Sequence, residues 1–162
     1  MLRREGKIVI AFVVLLVIGS CGSPAQQEKT PEIQFLNTPE MEALQLPFSQ
    51  AVRVGSMLFL SGQLGNEPGT TDLVPGGITG ETKQTLENIK AILERNGSSM
   101  DRVVKCTVFL ADIREWPKMN EVYRTYFAKQ PPARSALAAS GLALGARVEI
   151  ECIAVVGDEE TQ

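Results

Sequence analysis

The chain opens on an unbroken apolar run, IVIAFVVLLVI at residues 8–18, set directly behind the basic stretch MLRREGK. A membrane-spanning helix needs about 20 apolar residues, so this run is too short to span and has the length of a signal h-region. Beyond Gly19-Ser20-Cys21, residues 22–31, GSPAQQEKTP, are polar and without period, and they read as a flexible tether. From Ile33 the pattern becomes short, β-rich and broken by turns. IQFLN predicts a first strand, followed by a loop carrying Pro39 and Pro47. QAVRVG and MLFLSG predict two strands joined around Gly55-Ser56, a hairpin signal. A Gly- and Pro-bearing loop, NEPGTTDLVPGG, separates them from the next element.

At Thr79 the period switches. Leu86, Ile89 and Leu93 recur at helical spacing, Glu81 suits the positive N-terminal end, Lys90 and Arg95 suit the negative end, and Asn96-Gly97 stops the helix. RVVKCTVFL, rich in β-branched residues, predicts a strand that closes a parallel, right-handed strand–helix–strand crossover with MLFLS. A second helix begins at Pro117 and buries Met119, Val122, Tyr123, Tyr126 and Phe127, until Pro131 and Pro132 end it. RSALA and RVEIECIAVV are the last two strands. With 162 residues and 44% hydrophobic positions, the chain suits one domain with one core. Its expected bounds are 1–20 for a signal peptide, 21–32 for the tether, 33–157 for the domain and 158–162 for a tail.

Ile18-Gly19-Ser20-Cys21 resembles the lipobox of bacterial lipoproteins, in which cleavage leaves a lipid-modified cysteine at the N-terminus. The expectation is a lipid anchor at Cys21 and a place on the bacterial cell envelope, on the periplasmic side. Gly22, where an aspartate would favour retention at the inner membrane, points toward the outer one. Removing residues 1–20 takes Arg3, Arg4, Lys7 and Glu5, so cations against anions move from 16 against 19 to 13 against 18, a net charge of −5. Nucleic-acid binding depends on clustered Lys and Arg, so an acidic mature chain argues against it.

The available chemistry is narrow. Histidine is absent, which removes Ser-His-Asp and Cys-His nucleophile systems. Cys106 and Cys152 lie far apart in strand-like runs with no CxxC spacing, so no metal site is expected. They read either as separate buried thiols or as a pair. GGITG lacks the GxGxxG spacing of a dinucleotide loop. What remains is Arg134, the one charge in PPARSALAASGLALGA, and Glu149 with Glu151, two apart and therefore on one face of a strand. Taken alone, Arg134 reads as an arginine lying in water, and the two glutamates as a solvated strand face.

Four stretches taken together change that picture. LPFSQAVRVGSMLFLSGQLG, ETKQTLENIKAILERNGSSMDRVVKCTVFLADI, MNEVYRTYFAKQPPARSALAAS and GARVEIECIAVV resemble, in order, the Rid (YjgF-like) family of reactive-intermediate enamine/imine deaminases. The resemblance covers residues 33–156. It implies an α+β, chorismate-mutase-like fold, a mixed sheet with two helices on one face, assembled as a homotrimer with ligand pockets between subunits. It implies a cofactor-independent hydrolase that converts 2-imino acids to 2-keto acids and ammonia. Carried over by motif, Arg134 of PPARS takes the substrate carboxylate, Glu149 of VEIE positions water, and Ser61 of FLSGQ supplies a pocket hydroxyl. Asn120 and the backbone at Gly62 and Ala136 line the pocket. Phe48 of PFSQ departs from the pattern, because active family members commonly carry tyrosine there. A trimer that binds small carboxylates without turning them over is the alternative reading.

Overall fold

A computed structural model describes residues 30–157. The apolar leader, Cys21, the first part of the tether and the tail from 158 lie outside the described residues.

The first strand, β1 (Ile33–Leu36), leads into a helix where the sequence predicts only a loop. This α1 (Pro39–Ala43) forms because Thr38 Oγ1 accepts the Met41 N–H at 3.4 Å and Pro39 occupies a first-turn position that needs no donor. None of its residues is buried, so it left no apolar period to read. β2 (Ala51–Val54) and β3 (Met57–Leu60) then make the expected hairpin, with Val54 opposite Met57. Gly55 turns it at φ +57°, in the left-handed region that a Cβ disfavours. β4 (Gln63–Leu64) is a two-residue strand past Gly62.

The long helix α2 (Gly77–Arg95) starts two residues before the periodic pattern, and Asn96 caps its end. Glu81, expected to suit the helix N-terminus, has a further part there. It is buried, and its carboxylate accepts the backbone N–H of Arg147 at 2.7 Å, joining the helix to the loop before the last strand. β5 (Val103–Leu110), α3 (Trp116–Tyr126), β6 (Ala133–Ala138) and β7 (Val148–Val155) follow at their predicted places.

The strands form one mixed sheet in the order β1-β2-β3-β7-β5-β6, with β4 also paired to β7. β3 and β5 run parallel, as the crossover requires, because each is antiparallel to β7. They are not neighbours, since the last strand inserts between them. Side-by-side parallel pairing belongs instead to β5 and β6, with Cys106 opposite Arg134 and Val108 opposite Ala136.

Alternate strand residues separate two faces. Leu58, Leu60, Cys106, Val108, Leu110, Val148, Ile150, Cys152 and Ala154 are buried on the side of the helices, which contribute Leu86, Ile89, Leu93, Met119 and Tyr123 to the same core. The opposite face is uncovered by any described element. It presents Phe59 and Leu137, 42% and 45% exposed, and at its edge Phe35, 73% exposed.

Candidate active site

Arg134 sits on β6 in the same cross-strand row as Cys106 and Cys152, and it therefore projects to the helix side. Its guanidinium carbon lies 4.4 Å from the centroid of the Tyr123 ring on α3, a cation–π seat. The Tyr123 ring is braced in turn by Phe127, 4.6 Å away between centroids. Among the described residues Arg134 has no carboxylate partner and no side-chain hydrogen bond, unlike Arg114 on Asp112 and Arg147 on Glu115. Its planar fork of donors is free. It lines an open groove of about 500 Å³ with Ala136, Ile113, Trp116 and Pro117. Asn120, half-buried, lies one helical turn from both Pro117 and Tyr123 but does not itself line that groove.

Glu149 belongs to the other side. On β7 it stands between Leu64 and Phe109 on the uncovered face, flanked in sequence by the buried Val148 and Ile150. Gly62 makes room for its carboxylate, since a Cβ at that glycine would lie 1.9 Å from Oε1. Burial first, and then the charge of Glu151, push the Glu149 carboxyl above its ordinary value. Ser61 is adjacent, its hydroxyl donating to the Ser49 carbonyl at 2.7 Å, and the exposed Phe48 is the residue before Ser49.

The predicted residues thus fall into two groups. Arg134 and Ala136 line the helix-side groove with Asn120 on the adjoining helix, while Glu149, Gly62 and Ser61 gather on the far side, where Phe48 is connected through Ser49. Within one subunit the sheet stands between them. Sequence reasoning placed Tyr123 in the core but did not identify it as the seat of Arg134. The signal was its position one turn after Asn120, with the arginine on the next strand. Among the described residues no three His, Cys, Asp or Glu side chains gather as a metal site.

Such a domain, an α+β sheet layered by helices on one side and carrying two polar half-sites on opposite faces, has relatives that share both its pattern and its shape. The sequence profile described as endoribonuclease L-PSP matches residues 40–156. The mouse protein named 2-iminobutanoate/2-iminopropanoate deaminase is 45% identical over 124 residues, covering 76% of this chain and 92% of its own. Among solved structures, the yeast protein YEO7 superposes with a TM-score of 0.67 at 43% identity, covering 69% of this chain and 89% of its own. Escherichia coli TdcF with bound serine superposes with a TM-score of 0.65 at 36% identity, covering 69% and 90%. The chain belongs to this L-PSP, or Rid, family.

Proposed function

We propose that the protein is an enamine/imine deaminase that hydrolyses 2-imino acids to 2-keto acids and ammonia. The observation that carries the reading is the free guanidinium of Arg134, seated on Tyr123 at the mouth of a groove, in a chain whose curated relatives are named for deaminating 2-iminobutanoate and 2-iminopropanoate. Those substrates share a carboxylate next to the C=N carbon. A guanidinium fork binds a carboxylate through two parallel charge-assisted hydrogen bonds and so fixes the orientation of that carbon. The serine held by TdcF carries the same group.

The two half-sites complete one another between subunits of a homotrimer. Phe59 and Leu137 on the uncovered face supply apolar surface for that contact, and Arg134 of one subunit then meets Glu149 of a neighbour. The enamine tautomerises to the imine, and water held by Glu149 adds to the C=N carbon as the nitrogen takes a proton. The resulting carbinolamine collapses to the ketone and releases ammonia. A carboxyl raised by burial suits the task of taking a proton from water and returning it to the departing nitrogen. Ser61 and the backbone at Gly62 hold the Glu149 side of the pocket. Phe48 supplies an apolar edge there with no hydroxyl of its own.

RNA cleavage, which the family's description suggests, has little support in this chain. It carries a net charge of −3 and no histidine. The lipobox-like IGSC and the basic, apolar leader support export and lipid attachment at Cys21, and hence a place on the cell envelope. An exported deaminase would meet imines made by amino-acid oxidation on that side of the membrane.

Imines generated in place by an amino-acid oxidase test the activity. Faster release of ammonia and keto acid than in enzyme-free controls supports the deaminase. Thermal stabilisation by small carboxylates without turnover would favour the binding trimer instead. For the anchor, Cys21→Ala should abolish lipid labelling, and normal membrane attachment of that variant would reject it.

A further inference from the structure

Cys106 and Cys152 face one another across the middle of the sheet. They are register partners on β5 and β7, buried on the helix side at 0% and 2% exposure, with their sulfurs 2.8 Å apart. Opposed residues on antiparallel strands hold their Cα atoms about 4.5–5.5 Å apart, which lies within the roughly 4.4–6.8 Å that a disulfide bridges. The backbone already has the spacing for the bond. The neighbouring rungs on this face, Val108 with Ile150 and Leu110 with Val148, are ordinary aliphatic pairs. Tyr123 is itself buried beside the pair. Its buried hydroxyl lies against Cys106 and finds no hydrogen bond of ordinary geometry.

We infer that Cys106 and Cys152 are a modification site, forming an internal disulfide that ties β5 to β7 beneath Tyr123, one strand from Arg134. The oxidant is a low-molecular-weight disulfide of the oxidised-glutathione class, acting by thiol–disulfide exchange. The Cys106 thiolate attacks one sulfur of that disulfide and expels a thiol. Cys152 then loses its proton, attacks the Cys106 sulfur and expels the second thiol. Two protein S–H bonds become one S–S bond, and one external S–S bond becomes two thiols. The contact with Cys152 holds the Cys106 thiol below its usual range, while the same contact and burial raise Cys152, so Cys106 is the first nucleophile. Because both sulfurs are buried, exchange requires a transient opening of the packing over them.

The bond closes a loop spanning 46 positions, and a loop of that length restricts the unfolded chain strongly. The test incubates the full chain with oxidised glutathione just below its melting temperature, then alkylates it in denaturant and digests it. The expected product is a cross-linked pair of peptides carrying Cys106 and Cys152, neither alkylated. The linked protein should melt roughly 10 °C above the fully reduced one. Cys152→Ala should remove the cross-link and the dependence of melting on reductant. Should that variant fold poorly, the wild-type chain with and without reductant gives the same readout. Complete alkylation of both cysteines after the treatment, or a linked protein that melts no higher than the reduced one, would overturn the inference.

Discussion

Arg134 shows how much one side chain depends on its seat. In sequence it is a lone charge among small residues, and on the structure it is a guanidinium held over Tyr123 with its donors free. Arg134→Lys keeps the charge and removes the planar fork. Losing a bidentate contact worth about 2–3 kcal/mol should lower kcat/KM on a 2-imino acid roughly 30- to 150-fold with little change in melting. Turnover of the variant at the wild-type rate would show that this arginine does not hold the substrate. Glu149 carries a different expectation, because its carboxyl is raised in the fold. The native state then binds that proton more tightly than the unfolded chain. The stability this confers is present at low pH and is lost as pH rises from the ordinary carboxylate value through the raised one. Glu149→Gln should therefore melt no lower than wild type above that window, while kcat falls more than KM rises and the acid limb of the pH–rate profile disappears. Melting curves across pH and steady-state kinetics measure the two effects separately.

At the level of elements, α2 is the main support of the sheet. Its Leu86, Ile89 and Leu93 are fully buried against the strands, as their spacing in sequence predicts. Leu86→Ala should cost about 2–5 kcal/mol in denaturant unfolding, because the packed layer around it can collapse only partly into the space left. The period of an amphipathic helix is legible in sequence, since it records which face is dry. α1 was not legible, because it buries nothing and rests on a cap and a proline. Glu81 was legible only in part for a related reason. A glutamate in an early helical turn looks like a charge meeting the helix dipole, and only the approach of the Arg147 backbone makes it a buried acceptor.

At the scale of the whole molecule, the proposed trimer is what would bring the two half-sites together. The uncovered sheet face is the surface on which copies are expected to pack, so the chain should sediment as a trimer. Phe59, 42% exposed in the single subunit, lies on that face. Phe59→Glu should leave the subunit folded, dissociate the trimer and abolish deamination, because Arg134 and Glu149 are then separated by the sheet of one subunit. A wild-type chain that sediments as an active monomer would refute the shared site.

The order of the main strands, the hairpin at Gly55 and the two long amphipathic helices were determined by the sequence alone, and the candidacy of Arg134 and Glu149 by its motif resemblance to a family. Each rests on local information: alternation of burial, turn chemistry, or a short motif. Insertion of β7 between β3 and β5, the seat of Arg134 on Tyr123, the meeting of Cys106 with Cys152 and the placement of Arg134 and Glu149 on opposite faces were decided only by the tertiary structure. All four depend on which strands pair and in what register. A strand's own alternation says which of its residues share a face, but not which distant strand will lie beside it or which face the helices will cover.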